Sequence, residues 1–305
     1  MQFGVLGPIE VTGPSGVVDL GGARQRRLLA ALLLHAGEVA STDRVLDIVF
    51  DGVPPSGAST TIRSYIARLR KALGDADPAA GDLITTEQGG YRLRIDVDTI
   101  DATRFEATID TARHQLADRD PIGAAAILRQ GLAMWRGSAY GEFAFEEWAL
   151  PAASRLAELK AVANEELNDA LLASGLAHDV VSATRSQISE HPLRERPRSQ
   201  HMLALYRAGR QVEALRSLEE FQTELVEVGL DPSDELLRLG RSIAAHDPAL
   251  RLDSPAGQPL RGYRVGAALG EGAHGVVYRA VQPGVGREVA VKTIRAQLAD
   301  DPDFI

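Results

Sequence analysis

The sequence changes character near residue 100, and this change limits the folds open to the chain. From about Asp101 to Leu250, apolar residues recur at helical spacing and no strand-like run interrupts them. Alanine is abundant and aromatic residues make up only 5% of the chain, which favours helices over a β-rich fold. Helices are predicted at about 101–118, 121–134, 146–174, 176–190, 195–208, 211–228 and 233–245.

The helical part contains one possible internal repeat. Gly175 and Gly209 close two similar segments and lie 34 positions apart, which is the period of tetratricopeptide (TPR) repeats. Stacked helix pairs of this kind offer a concave surface for a partner protein or for dimerisation. The sequence therefore predicts an all-α, TPR-like domain over 98–250.

Composition and charge exclude several classes of protein. The chain has 305 residues and no cysteine, so disulfides, thiolate zinc sites and a cysteine nucleophile are excluded. Its net charge of −9 rules out a uniformly basic surface, so any DNA binding must depend on a local basic patch. The histidines lack metal-ligand spacing, and the longest apolar run, 28–34, is too short to span a membrane. A soluble, cytoplasmic protein without a metal site is expected.

Residues 1–97 are predicted to mix strands and helices. Short strands are expected at 3–6, 9–11 and 17–20, helices at 24–36, 42–50 and 59–73, and a hairpin at 83–86 and 91–94. A small sheet, three helices and a C-terminal hairpin follow the order of a winged helix.

The helix at 59–73 is the strongest candidate for nucleic-acid contact. Its apolar stripe is formed by Ile62, Ile66, Leu69 and Leu73, and it carries Arg63, Arg68, Arg70 and Lys71 with no acidic residue before Asp75. A short helix with a buried back and a basic front can enter a DNA major groove. Thr60 and Thr61 near its N-terminus could bind phosphates. A solvated basic helix face is the alternative interpretation of the charge pattern.

The stretch Thr60–Leu73 and the stretch Leu83–Leu93 resemble the OmpR/PhoB-type DNA-binding domain. Its recognition helix ends in Leu-Arg-Lys-x-Leu and its wing ends in Gly-Tyr-Arg-Leu, and both endings are present. The resemblance implies that Arg63, Ser64 and Arg68 contact base edges. It implies phosphate contacts by Thr60, Arg70, Lys71 and Tyr91, with Arg92 beside them in the wing. Glu87 departs from the pattern, because many relatives are basic in that region.

Four blocks of the helical part resemble the bacterial transcriptional activator domain of antibiotic-pathway regulators, the SARP family. These blocks are Leu132–Gly137, His191–Arg196, Leu205–Leu215 and Gly229–Leu236. The resemblance implies double-stranded promoter DNA and RNA polymerase as partners, and binding as a homodimer. The residues also have local interpretations: Trp135 fills the core, and Arg194 and Arg196 form structural ion pairs.

After a predicted linker at 251–262, segment 263–305 resembles the start of a Ser/Thr protein kinase small lobe. A G-x-G-x-x-G-x-V loop precedes Val289-Ala290-Val291-Lys292. The resemblance implies ATP contacts by Gly270, Gly272, Gly275, Val277 and Lys292. No catalytic loop or magnesium-binding motif follows, so no catalytic residue is predicted and no cofactor is required. The chain is interpreted as part of a longer regulator.

The predicted fold class is an α+β winged helix (1–97), an all-α TPR-like domain (98–250) and a truncated β-rich kinase small-lobe fragment (263–305). The predicted function is sequence-specific DNA-binding transcription regulation, not catalysis. Two alternatives remain open. One is a Ser/Thr kinase, suggested by Lys292 and the glycines. The other is a scaffold without DNA binding, suggested by Glu87 and by the balance of 10 basic and 11 acidic residues in 1–97.

Overall fold

The computed structural model describes residues 1–250, 264–272, 275–281 and 287–294. The helices are α1 Ala23–Leu34, α2 Thr42–Phe50, α3 Ala58–Ala76, α4 Asp101–Ala117, α5 Pro121–Leu132, α6 Leu150–Ala173, α7 Ala177–Glu190, α8 Glu195–Arg207, α9 Gln211–Glu227 and α10 Asp234–Ala244. The strands are β1 Gln2–Gly4, β2 Glu10–Gly13, β3 Gly16–Val17, β4 Val39–Ser41, β5 Ile84–Glu87, β6 Gly90–Leu93, β7 Arg264–Gly272, β8 Gly275–Val281 and β9 Glu288–Ile294. Within the described ranges, no helix is long and apolar enough to cross a membrane.

The chain divides into two compact units, Met1–Glu166 and Leu167–Ile305. The division falls inside α6, so the first unit holds the region predicted as a winged helix together with α4, α5 and part of α6. Strands β1, β2 and β3 form an antiparallel sheet at its start, with Phe3 opposite Val11. The strand predicted at 17–20 is paired only through Val17, although the Val18 amide still donates to the Val11 carbonyl at 2.8 Å.

Helices α1, α2 and α3 share a core with a second sheet, whose strand order is β4-β6-β5. Buried aliphatic side chains fill this core, among them Leu29, Val45, Ile62, Leu69 and Leu93. Strand β4 was not predicted, because three residues are too few to show the alternation that marks a strand. Its pairing with β6 is a long-range contact that closes the wing sheet against the helices.

The segment between α5 and α6 packs on the first sheet. The Arg136 amide donates to the Leu6 carbonyl at 2.8 Å, and the Tyr140 amide donates to the Val5 carbonyl at 2.7 Å. The Arg136 guanidinium reaches the Pro8 carbonyl at 3.2 Å and the carboxylate of buried Asp101 at 2.9 Å. Arg136, from the block Leu132–Gly137, and Tyr140, which follows that block, therefore contact the N-terminal part of the chain directly.

Asp101 lies at the centre of this contact between the N-terminal sheet and the segment from α5 to α6, which we call the joint. Its carboxylate accepts the amide of Val5 at 2.7 Å and that of Leu6 at 3.2 Å, besides the contact with Arg136. The side chain lies at the first residue of α4 and is 4% exposed. A buried carboxylate needs this many donors, because an unpaired charge inside a protein is costly. The arrangement links residues about 100 positions apart into one core.

Helix α6 begins at Leu150, later than the predicted 146. Tyr140 and Gly141 have positive φ values of 61° and 53°, and the chain runs through short turns up to Ala149. Pro151 then lies in the first turn of α6, where its missing N–H breaks no helical hydrogen bond. Trp135 packs edge-on against Phe105 at 5.4 Å between ring centroids, as its predicted packing role requires.

The second unit contains the remainder of α6 and helices α7 to α10, each packed on its neighbour in the chain. Buried side chains fill its core, including Met202, Phe221 and Ile243. Gly175 and Gly209 occupy equivalent turns after α6 and α8, with φ values of 79° and 75°. This conformation suits glycine, so the repeat seen in the sequence corresponds to two turns of the same kind.

Strands β7, β8 and β9 form an antiparallel sheet in that order. They lie where the sequence predicts strands at 263–265, 276–280 and 289–292. The predicted linker at 251–262 lies outside the described residues. Tyr278 and Ala280 are buried in this sheet against Val289 and Val291.

Candidate nucleic-acid interface

Helix α3 has a buried back and an exposed front. Ile62, Ile66, Leu69 and Leu73 are all buried, as the apolar stripe predicts. The helix starts after Gly57, whose φ of 85° turns the chain into the first turn, and no side chain caps it. The Ala58 amide donates to the Pro55 carbonyl and the Thr60 amide to the Gly57 carbonyl, each at 3.0 Å, so most of the first-turn amides already have backbone acceptors.

The exposed front holds most of the predicted contact residues. The exposed side chains are Thr60, Arg63, Ser64, Arg68 and Lys71. Thr60, Ser64, Arg68 and Lys71 follow one another at helical spacing and form one stripe. We call these five residues the reading face. Thr61 lies beside it, half-buried, and its hydroxyl donates to the Gly57 carbonyl at 3.4 Å.

Arg70 connects α3 to the wing. Its Nε donates to the Ile84 carbonyl at 2.7 Å, and its Nη2 donates to the Thr86 hydroxyl at 3.0 Å. The guanidinium is therefore engaged inside the protein. It fixes the angle between the helix and the β5–β6 hairpin, a role that sequence spacing alone does not reveal.

The structure places the two predicted wing residues differently from each other. Tyr91 is 6% exposed and belongs to the core, so its ring does not face solvent. Arg92 is half-buried, with a buried Nε that has no hydrogen-bond partner among the described residues. Gly90 precedes them, and a Cβ at this position would overlap the carbonyl group of Ala40 on β4. The glycine of the Gly-Tyr-Arg-Leu motif thus permits close strand packing.

Glu87, the residue that departs from the family pattern, is neutralised locally. Arg94 donates to its carboxylate at 2.8 Å, and the Thr85 hydroxyl donates at 3.0 Å. The hydrogen bond from Arg94, followed by that from Thr85, holds the pKa of Glu87 below its usual range. The carboxylate is ionised at neutral pH and occupies the guanidinium of Arg94.

We expect Glu87→Gln to strengthen DNA binding several-fold at low salt. The change removes one negative charge from the hairpin and releases Arg94 for phosphate contact. The slope of log affinity against log salt should steepen by up to about 0.9, the value for one further phosphate. Fluorescence anisotropy over a salt series measures both quantities. Unchanged affinity and slope would show that the hairpin lies away from DNA.

The start of α2 lies beside the wing, which the sequence did not indicate. The Thr42 amide donates to the Gly89 carbonyl at 2.9 Å, and the Thr42 hydroxyl reaches the same oxygen at 3.3 Å. Ser41 caps the helix by accepting the Arg44 amide. Arg44 is exposed. The only sequence signal at this position is an N-cap serine, which predicts a helix start and nothing more.

The C-terminal sheet brings together three of the predicted nucleotide-binding residues. Val277 on β8 lies opposite Gly270 on β7 and opposite Lys292 on β9. Gly272 pairs with Gly275 at the hairpin end, and the residues between them lie outside the described part of the chain. Lys292 is exposed. In the described ranges, no group of three or more His, Asp or Glu residues could hold a metal ion.

Two family models match the chain. "Transcriptional regulatory protein, C terminal" covers residues 18–93, which include α3 and the wing. "Bacterial transcriptional activator domain" covers residues 100–244, from the end of the wing region through α10. Both agree with the families that the sequence motifs resemble.

Similar proteins are regulators. The chain is 35% identical over 260 residues to regulatory protein AfsR of Streptomyces griseus, spanning 85% of this chain but 26% of AfsR. It is 30% identical over 275 residues to transcriptional regulatory protein MoaR1 of Mycobacterium tuberculosis, spanning 90% of this chain and 87% of MoaR1. The chain therefore spans about a quarter of AfsR and most of MoaR1.

A solved structure has the same fold. Mycobacterium tuberculosis EmbR, in complex with a low-affinity phosphopeptide, superposes with a TM-score of 0.76 at 26% identity, over 96% of this chain and 93% of that chain. These similarities give no support to a kinase small lobe at 263–305 or to ATP binding there. The resemblance rested on a short glycine motif and one lysine, and three paired strands are common to many folds. The chain belongs to the SARP-type transcriptional regulators, which join a winged helix to a bacterial transcriptional activator domain.

Proposed function

We propose that this chain regulates transcription by placing α3 in the major groove of promoter DNA, with the β5–β6 hairpin against the adjacent backbone. The observation that carries this proposal is the reading face. It is an exposed basic stripe without a carboxylate, backed by four buried aliphatic side chains. Winged helices of this family use the same two elements, and the family match covers both.

Within the proposal, Arg63, Ser64 and Arg68 contact base edges. Arginine can form bidentate hydrogen bonds to guanine, worth about 1–3 kcal/mol of discrimination. Thr60, Thr61, Lys71 and Arg92 contact phosphates. We assign positioning roles to Arg70, whose Nε and Nη2 donate to β5, and to Tyr91, which is buried. We further propose 1–97 as the DNA-binding domain and 98–250 as the activator domain.

The first test is anisotropy of this chain on a pool of labelled genomic promoter fragments over a salt series. We expect selective binding, with log affinity falling by about 0.9 per neutralised phosphate as log salt rises. Equal affinity for all fragments would remove the claim of specificity. Absence of binding at low salt would favour the scaffold alternative, in which the winged helix serves only protein contacts.

We propose RNA polymerase as a protein partner, docked beside α2. Phe145 and Val53 are 88% and 80% exposed, the highest values among the large apolar side chains in the described ranges. A cavity between their neighbours is lined by four carboxylates and by Arg44, and Arg27 pairs with two of the carboxylates, Asp51 and Glu146. Exposed apolar groups beside the other two carboxylates, Asp47 and Glu147, suit a partner surface that has an apolar pocket and a basic residue next to it.

We expect Phe145→Ala to reduce transcription from a bound promoter in vitro by about fivefold or more, because a buried aromatic anchor dominates many interfaces. DNA affinity should not change. Val226→Ala, at an exposed apolar position on α9, is the matched control. If Phe145→Ala transcribes like the parent, this surface does not contact the polymerase.

We also propose that the chain binds direct repeats in the DNA as a homodimer. The molar mass of the DNA complex tests this proposal.

A further inference from the structure

A cavity in the second unit concentrates arginine side chains. It lies among α7, α8 and α9 and is lined by Arg185, Ile188, Arg198, His201, Leu205, Glu213, Arg216, Ser217 and Glu220. Arg185 and Arg216 are exposed and form no ion pair within the described part of the chain. Glu213 is already held by Arg210 through two contacts of 2.7 and 2.6 Å.

Arg198 lies at the base of the cavity. It is 5% exposed, its guanidinium lies 5.1 Å from the centroid of the Phe221 ring, and its Nη2 is paired with Glu224. Its Nε is buried and has no hydrogen-bond partner among the described residues. Because this Nε is closed to solvent, Arg198 contributes its positive charge to the base of the cavity rather than a hydrogen bond to a ligand.

His201 also lines the cavity, and its ring is held in place by Thr184. Its Nδ1 lies 2.8 Å from the Thr184 hydroxyl, which itself donates to the Val180 carbonyl at 2.6 Å. The hydroxyl therefore accepts from Nδ1–H, so Nε2 of the neutral ring is an acceptor and offers no hydrogen bond to an anion. Burial, followed by the positive charges of Arg185, Arg198 and Arg210, lowers the pKa of His201 to about 4. Burial is the largest cause of this shift, and the ring is neutral at pH 7.

We propose that this cavity binds the acidic group of a partner peptide, a carboxylate or a phosphate, between Arg185 and Arg216 and above Arg198. This site lies outside the reading face and is independent of DNA binding. Guanidinium groups recognise both oxyanions with paired hydrogen bonds. One acidic group suffices to pair with both Arg185 and Arg216.

The surrounding carboxylates favour a peptide over DNA. Glu220 lies at the cavity without an ion pair in the described ranges, and Glu213 and Glu224 lie close to it. An extended polyanion would meet these charges and be repelled. A peptide with one acidic residue flanked by lysine avoids the repulsion, because its lysine can pair with Glu220.

Three labelled peptides test the site on the full chain. They share an alanine and lysine background and differ at one central residue, which is phosphoserine, glutamate or serine. We expect saturable anisotropy changes with the phosphoserine or glutamate peptide and none with the serine peptide. The tighter of the two acidic peptides identifies phosphate or carboxylate as the ligand.

Arg185→Gln and Arg216→Gln should each weaken acidic-peptide binding about tenfold, since each removes a charge-assisted hydrogen bond. Both side chains are exposed, so thermal melting should match the parent. Arg238→Gln, at an exposed arginine on α10, is the control and should bind like the parent. Equal binding by all three peptides, binding unaffected by the two variants, absence of binding, or displacement of peptide by duplex DNA would each overturn the proposal.

Discussion

Replacing Asp101 with alanine should lower the free energy of unfolding by about 3–5 kcal/mol, the cost of breaking a buried ion pair by removing one partner. The carboxylate accepts two backbone amides of the β1 region and the Arg136 guanidinium. Its loss leaves the buried Val5 and Leu6 amides without an acceptor and removes one partner of Arg136, which keeps its contacts with the Pro8 carbonyl and Glu10. Because these donors come from two distant parts of the sequence, the winged helix should lose its attachment to α4.

Chemical denaturation followed by circular dichroism measures this effect. Asp98→Ala is the matched control, since Asp98 is exposed, lies three residues earlier and should change stability by less than about 0.5 kcal/mol. Arg136→Ala and the double variant complete a cycle, and we expect a coupling energy of about 1–3 kcal/mol. A stability of Asp101→Ala within 0.5 kcal/mol of the parent would show that the joint is not part of the stable core.

Gly90→Ala should have the second largest effect, acting on stability and on DNA binding together. The added Cβ would overlap the Ala40 carbonyl, so β4 and β6 must separate. Such overpacking costs about 1–3 kcal/mol or more. Since β6 carries the wing and Arg70 ties the wing to α3, DNA affinity should fall by more than the stability change alone explains.

Gln88→Ala is the matched control for this effect. Gln88 is exposed and lies two residues before Gly90, in the same turn. We expect nearly parental melting and DNA affinity for Gln88→Ala, against an earlier unfolding transition and at least about tenfold weaker binding for Gly90→Ala. Equal behaviour of the two variants would show that the close strand contact is not needed.

Local pattern was sufficient to predict the elements that carry function. The apolar stripe of α3 and the glycine-containing hairpin each depend on residues near one another in the sequence, so spacing alone identifies them. The 34-residue spacing of Gly175 and Gly209 is also a local pattern, and it marks two turns in which each glycine has a positive φ.

Contacts between distant residues could not be predicted in this way. Asp101 reaches Val5, Arg136 reaches Pro8, and Arg70 is held by the hairpin after it. The sequence identifies none of these contacts, because a side chain's partner is set by tertiary packing. The phosphate contact predicted for Tyr91 comes from the wing motif, which carries no information on the burial of its ring.

The central claim is that α3 reads base sequence with its exposed face. The most direct measurement is affinity for a selected operator and for its single-base variants, comparing Arg63→Ala, Arg68→Ala, Lys71→Ala and the control Arg238→Ala. We predict that the first two lose about 1–3 kcal/mol on the operator and no longer distinguish one base pair. Lys71→Ala should weaken binding to all sequences alike and reduce the salt slope by about 0.9. Full discrimination by both arginine variants would contradict the account.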